Sequence, residues 1–349
     1  MSVTSRETGL KSWLCGVFSV SEIRLLSMNG DAGFRQYYRF NLDGVSYIAV
    51  DAPPQYSNNQ GFIALGSGLA ESGIQVPEMK AGDLELGYFC LTDFGDTLLS
   101  NVLSSDNMQA YYRQAIELLP AIATSQPAGD YVLPDYDRPF IDFELSIFTE
   151  WLLEKHLNIH LSPQELQKLR ACFDILIDSA LEQPQVTMHR DYHSRNIMLL
   201  ADKTLGIIDF QDAVSGPVTY DIVSLLRDCY LRWPDQQIRP LFEYYCDLIT
   251  KALNLPRVSA AKWQRWFDLM GLQRHLKASG IFARLYYRDN KAGYLKDIPL
   301  TLAYIRDISG CYNELAFLHQ LVAEQVLPAL PGAKDKLEQQ ALPTAAGNE

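Results

Sequence analysis

Between residues 22 and 51 the runs IRLLSMNG, QYYRFNLDG and VSYIAVDA are apolar or aromatic and are separated by turns containing Gly and Asp, the pattern of β-strands. LDG at 42–44 predicts a hairpin turn. From Asn58 to Ser72 the apolar positions Phe62, Leu65 and Leu69 fall at helical spacing, against the weakening effect of three glycines. PEMKAGDLELGYFCLTDFG predicts two more strands, so the first ninety-odd residues predict a small sheet with one helix. From about residue 104 the period becomes helical, in SSDNMQAYYRQAIELLPAIAT, DFELSIFTEWLLEKHL and SPQELQKLRACFDILIDSALE. The third of these opens with Ser162, Pro163 and Glu165, a favourable N-cap, first-turn and capping-box combination. A short strand pair, NIMLL and LGIIDF, interrupts the helices, which resume at Asp221 and run to about Leu327.

The predicted fold class is therefore α+β: a small N-terminal β-sheet lobe with one helix over residues 1–93, then a larger helical C-terminal lobe over 94–330. Residues 331–349 lack apolar periodicity and are expected to form a frayed tail. This order of lobes resembles a two-lobed, protein-kinase-like fold.

Composition narrows the function. The net charge of −12 argues against wholesale binding of nucleic acid or an anionic membrane. The six cysteines are scattered, with no C-x-x-C pair, which fits neither a disulfide framework nor a zinc site and suits a reducing cytoplasm. No secretory leader or membrane span is predicted, and nothing implies an obligate protein partner.

HRDYHSRNIM, at 189–198, resembles the catalytic loop of kinases, H-R-D-x-x-x-x-N. Phosphoryl transfer requires a carboxylate to orient the attacking hydroxyl and oxygen ligands for Mg2+. Asp191 is the expected base and Asn196 a metal ligand. A second metal-binding Asp is needed, and Asp93-Phe94-Gly95 precedes the loop where kinases place D-F-G after it. Thirteen residues beyond Asn196, IIDFQDA places Asp209 at the end of a buried strand, so Asp209 is the expected metal ligand and Asp93-Phe94-Gly95 a decoy.

HRDYHSRNIM, IIDFQDA and PVTYD at 217–221 together resemble the aminoglycoside phosphotransferase and choline kinase-like superfamily, over about residues 20–325. The resemblance implies ATP and Mg2+ as cofactors, Asp191 as base, Asn196 and Asp209 as metal ligands, and Asp221 as a brace of the catalytic loop. His189 and His193 are expected to brace that loop by hydrogen bonds rather than bind metal. By analogy the linker after the last small-lobe strand lies near the adenine, bringing Leu91, Asp93 and Phe94 to the nucleotide; Asp93 also reads as a plain turn residue. Gly30, Asp31 and Gly33 in NGDAGFRQYYRF form either a phosphate-covering loop or an ordinary hairpin turn.

One departure stands out. Kinase-like small lobes carry a Lys on the third strand, and here that strand reads SYIAVDAPPQ, with no Lys between Lys11 and Lys80 and with Asp51 near the expected place. Three readings follow. The chain is a non-catalytic nucleotide-binding pseudokinase; or Arg35, Arg39 or Arg195 supplies the cation, Arg195 acting on the transferring phosphoryl group as a catalytic residue; or the loss marks a subfamily. DAGFRQYYR, VDAPP, LTDFGD and HSRN resemble bacterial cell-wall-sugar anomeric kinases, which phosphorylate the C1 hydroxyl of N-acetylmuramate and N-acetylglucosamine in peptidoglycan recycling. That resemblance implies a small-molecule sugar acceptor; an aminoglycoside or choline-type acceptor is the alternative. The basic stretch 273–297 offers Arg284 or Arg288 to an anionic acceptor, and equally reads as a solvated helix face with its tyrosines packed inward.

Overall fold

The computed structural model describes residues 3–28 and 34–330. The chain divides into two compact units, one formed by residues up to 135 with 186–215 and 236–256, the other by 136–185, 216–235 and the residues from 257 onward. The division does not fall at residue 93. The loop bearing Asp191 belongs to the unit of the N-terminal sheet, because its flanking strands are tied there: Ile207 N–H donates to Gln75 O at 2.7 Å, Leu199 N–H to Thr97 O at 2.8 Å, and the buried Tyr192 hydroxyl to Ala115 O at 2.7 Å.

In the first unit, five strands, β1 (Leu26–Ser27), β2 (Gln36–Leu42), β3 (Val45–Asp51), β4 (Met79–Asp83) and β5 (Tyr88–Thr92), form an antiparallel sheet in the order β1-β2-β3-β5-β4. The predicted hairpin turn is present: Asp43 at φ 51° and Gly44 at φ 81° join β2 to β3, the pair of left-handed residues that a tight two-residue hairpin requires. Side chains alternate across the sheet. Tyr38, Phe40, Ala49, Tyr88 and Cys90 share one face with Leu10 and Leu14 of a helix α1 (Val3–Phe18), in one core cluster. That helix is absent from the sequence reading. Leu10 and Leu14, four residues apart and fully buried, each contribute about 1.5–3 kcal/mol by leaving water.

The predicted helix over 58–72 is α2 (Asn59–Glu71), capped by the Asn58 side chain, which accepts from Gly61 N–H. Its glycines weaken propensity but allow close packing: a Cβ on Gly68 would stand 1.9 Å from Gln126 O. The strand pair flanking the loop is also present, as Ile197–Leu199 against Leu205–Ile207.

The second unit is helical. Helix Pro163–Leu181 begins with the predicted capping box, Ser162 and Glu165 each holding the other's backbone N–H. Helix Ala260–Asp289 is buried over most of its thirty residues. The expectation of a solvated face with inward tyrosines over 273–297 holds only in part: Arg288 is exposed and Tyr294 stacks on Phe282. Arg274 is buried and Lys277 lies 2.7 Å from the buried Glu144 carboxylate, whereas Tyr286 and Tyr287 are exposed. Tyr136 and Gln273 also donate to Glu144, which supplies the additional hydrogen bonds that a buried ion pair needs.

Candidate active site

Asp191, Asn196 and Asp209 come together through a hairpin. Ile197 pairs with Ile207, so the residue before one strand meets the residue after the other: Ile208 N–H donates to Asn196 O at 3.1 Å. Asn196 Nδ2 then donates both to Asp191 O at 3.1 Å and to Asp209 Oδ2 at 3.3 Å. Two left-handed residues shape the site, Arg190 at φ 74° and Asp209 at φ 64°. Non-glycine residues seldom adopt this conformation, and it is held here by surrounding structure that turns the chain sharply at the functional side chains.

His189 joins the two halves. Its Nε2 donates to Ile208 O at 3.1 Å, and its Nδ1 accepts from Asp191 N–H at 3.3 Å. Both bonds suit one neutral tautomer. Burial pushes its pKa down to about 4. A neutral imidazole with both nitrogens engaged is a brace and has no lone pair for a metal. His193 also belongs to the loop, where its backbone N–H donates to Asp191 O at 3.0 Å and its carbonyl accepts from Asn196 N–H at 2.9 Å.

Asp209 is reached by water through the cavity described below, yet enough protein surrounds it to penalise its charge. Burial, and then the negative charge of Asp191, push its carboxyl up to about 6, against the hydrogen bond from Gln211 Nε2 at 2.6 Å. Gln211 stands where a D-F-G glycine would be, and the sequence reading passed over it. The pattern F-Q after Asp209 was the available signal.

Within the first unit these groups open onto a cavity of about 350 Å³. Ile48, Leu91, Phe94, Met198 and Ile208 give it apolar walls, suited to a flat base; Arg195, Asn196, Asp209 and Gln211 give it a polar end. Leu91, Asp93, Phe94, Arg195, Asn196 and Asp209, all named from the sequence, line this one cavity. Tyr37, Phe62 and Met198 line the cavity without having been predicted.

The other expected residues are placed as follows. Arg39 grips Asp93: Arg39 Nε stands 2.6 Å from Asp93 Oδ2, and Arg39 Nη1 donates to Asp96 at 2.9 Å. Burial alone would raise the Asp93 carboxyl, but Arg39, the Ser46 hydroxyl and Gly95 N–H hold it below its ordinary value. Arg39 is thus occupied by two carboxylates. Asp51 is on the α1 face of the sheet, buried and bonded by Arg6 Nε at 2.8 Å, so it does not stand in the lysine's place. The cavity face of β3 carries Ile48 and, one alternation on, the fully buried Val50. Asp221, Arg284 and Arg288 belong to the second unit. Asp221 is buried in the first turn of helix Tyr220–Leu226, and Arg288 pairs with Asp289 at 2.9 Å. Gly30, Asp31 and Gly33 lie outside the described residues.

The donor set fits Mg2+, whose preferred protein ligands are one or two oxygen groups beside substrate phosphates. Among the described residues no cluster of three or more His, Cys, Asp or Glu forms a metal cage. Both oxygens of Asp209 accept from amide donors, Asn196 Nδ2 and Gln211 Nε2, which fix the carboxylate in place.

A loop carrying an Asp and an Asn, a facing Asp after a buried strand, and an apolar cleft beneath an antiparallel sheet define a kinase-like phosphotransferase. The chain belongs to the phosphotransferase enzyme family, whose profile matches residues 24–259. It is 38% identical over 305 residues to an N-acetylmuramate/N-acetylglucosamine kinase of Pseudomonas aeruginosa, covering 87% of this chain and 89% of the relative. A protein of the same name from Neisseria meningitidis is 37% identical, with 92% and 96% covered. Among solved structures, the choline kinase LicA from Streptococcus pneumoniae aligns with a TM-score of 0.60 at 14% identity, covering 87% of this chain and 99% of that one. An ADP-bound aminoglycoside phosphotransferase, APH(2'')-Ib, aligns at 0.55 and 14%, covering 85% and 97%. The fold is that of these α+β kinases, and the chain is a nucleotide-dependent phosphotransferase acting on the hydroxyl of a small molecule. Among the described residues no helix is long and apolar enough to cross a membrane.

Proposed function

We propose that this protein transfers the γ-phosphoryl group of ATP to the anomeric C1 hydroxyl of N-acetylmuramate or N-acetylglucosamine. The observation that carries the reading is the joined set Asp191, Asn196 and Asp209 on a strand hairpin. The substrate reading is supported by the names of relatives that are 37–38% identical over most of their length.

Asp191 orients the C1 hydroxyl and takes its proton as the oxygen attacks the γ-phosphorus; the new O–P bond forms as the bond to the β–γ bridging oxygen breaks, and ADP leaves. Asn196 and Asp209 would hold Mg2+, which neutralises charge on the phosphates when bound. Arg195, at the polar end of the cavity, stabilises the charge spread over the transferring group. His189, with His193, keeps the loop in shape. Leu91, Asp93 and Phe94 hold the base end, Asp93 through the Arg39 clamp rather than by direct contact. Asp221 braces its helix start. Among the described residues no cysteines are joined in a disulfide, and a reaction that consumes ATP fits a cytoplasmic enzyme.

For the lactyl carboxylate of N-acetylmuramate, Arg284 is the less committed of the two candidate arginines. Arg288 already has Asp289, whereas Arg284 Nε is buried with no hydrogen-bond partner among the described residues, and burial followed by the charge of Arg288 lowers its pKa. A coupled assay of ATP consumption with N-acetylmuramate, N-acetylglucosamine, kanamycin and choline tests the reading. Turnover is expected with the two N-acetyl sugars, and Arg284→Ala should raise KM for N-acetylmuramate about tenfold or more while sparing N-acetylglucosamine, the loss of one charge-assisted contact. Turnover confined to kanamycin or choline would remove the amino-sugar reading.

A further inference from the structure

We propose that Arg35 is the phosphate-binding cation of the nucleotide site, in place of the third-strand lysine that this chain lacks. The inference rests on the cavity being the nucleotide site.

The lysine's place is closed. The cavity face of β3 carries the apolar Ile48 and the fully buried Val50, and Asp51 points to the opposite face, to Arg6. A replacement must come from a neighbouring strand and reach the same face. Val50 pairs with Tyr37 of β2, and Tyr37 lines the cavity. Alternation puts Arg39 on that face, and Arg35, the residue just before β2, reaches the cavity-lining Phe62.

Arg39 is excluded by its partners, since Asp93 and Asp96 neutralise it. Arg35 differs on each point. Among the described residues no carboxylate pairs with it; Nη2 donates to Asn58 O at 3.1 Å, and Nε is buried with no hydrogen-bond partner. Its guanidinium lies 5.4 Å over the ring of Phe62. Phe62 lines the cavity and stacks on Phe210, the residue after Asp209, with centroids 5.4 Å apart and planes 7° from parallel. A cation–π contact orients a guanidinium without cancelling its charge. Arg35 is therefore a charged, incompletely satisfied donor fixed through Phe62 and Phe210 to the turn that carries Asp209. Kinases with the third-strand lysine hold it by a Glu on the helix; here the helix supplies an aromatic ring, and the cation enters from the adjacent strand.

Titration calorimetry with ADP and with adenosine, on wild type, Arg35→Gln and Arg35→Lys, tests the assignment. Arg35→Gln should weaken ADP about ten- to a hundredfold, the worth of a charge-assisted contact, and leave adenosine unchanged. Arg35→Lys should recover part of the loss. ADP binding by folded Arg35→Gln equal to wild type overturns the proposal, as does an equal loss of ADP and adenosine, which would mark a structural role. A wild type that binds neither ligand instead removes the nucleotide reading beneath it. Should Arg35→Gln not fold, the wild-type protein decides: ADP, and not adenosine, must block phenylglyoxal labelling of Arg35, and labelling indifferent to ADP rejects the assignment.

Discussion

Asp191→Asn is expected to lower kcat by about 10²–10⁴, the usual contribution of a positioned general base, with nucleotide affinity almost unchanged. The backbone of Asp191 is fixed on both sides. Its N–H is held by His189 Nδ1, and its carbonyl accepts from Asn196 Nδ2 and from His193 N–H. These bonds use the backbone and remain available in the amide variant, which takes away the carboxylate as proton acceptor. Steady-state kinetics at saturating ATP and sugar, with circular dichroism to check the fold, measure the effect. A folded variant with wild-type kcat would take the base role away from Asp191.

Asp209→Ala is expected to abolish the magnesium-dependent part of nucleotide affinity. The effect has a pH signature. The Asp209 carboxyl is raised to about 6, by burial first and then by Asp191. An acid with a raised pKa is protonated below that pH, so the cation must there displace a proton. Mg-ATP affinity should be flat above neutrality and fall as pH drops through about 6, approaching tenfold per unit below it. In Asp209→Ala the residual affinity should show no such break. Calorimetry across the pH range checks both points, and an unaltered Mg-ATP affinity in the variant would assign the metal to another residue.

The site was more legible in the sequence than its setting. HRDYHSRN and IIDF mark the chemistry because phosphoryl transfer needs these groups on a short hairpin, and the hairpin is local. Alternation in QYYRF and the Asp43-Gly44 turn are likewise local, and both are present. What escaped is long-range or a matter of parity. Asp51, near the lysine position in sequence, is turned by the strand register to the α1 face and Arg6, because one residue along a strand reverses the face. The partners of Arg39 lie 54 and 57 residues away, and no sequence pattern announces them. α1 escaped because Gly9, Gly16 and its Ser and Thr residues dilute the apolar period; the helix is held by packing against the sheet rather than by propensity. The basic residues of helix Ala260–Asp289 read as solvated because the buried acid that balances them, Glu144, lies on a distant stretch of chain.

The most direct test of the account is phosphorus NMR of the product formed from ATP and N-acetylglucosamine labelled with carbon-13 at C1. A phosphorus resonance coupled to the labelled anomeric carbon, and lost after mild acid, is the predicted result. A phosphate on another sugar hydroxyl, or ATP consumed with no phosphorylated sugar, would contradict it.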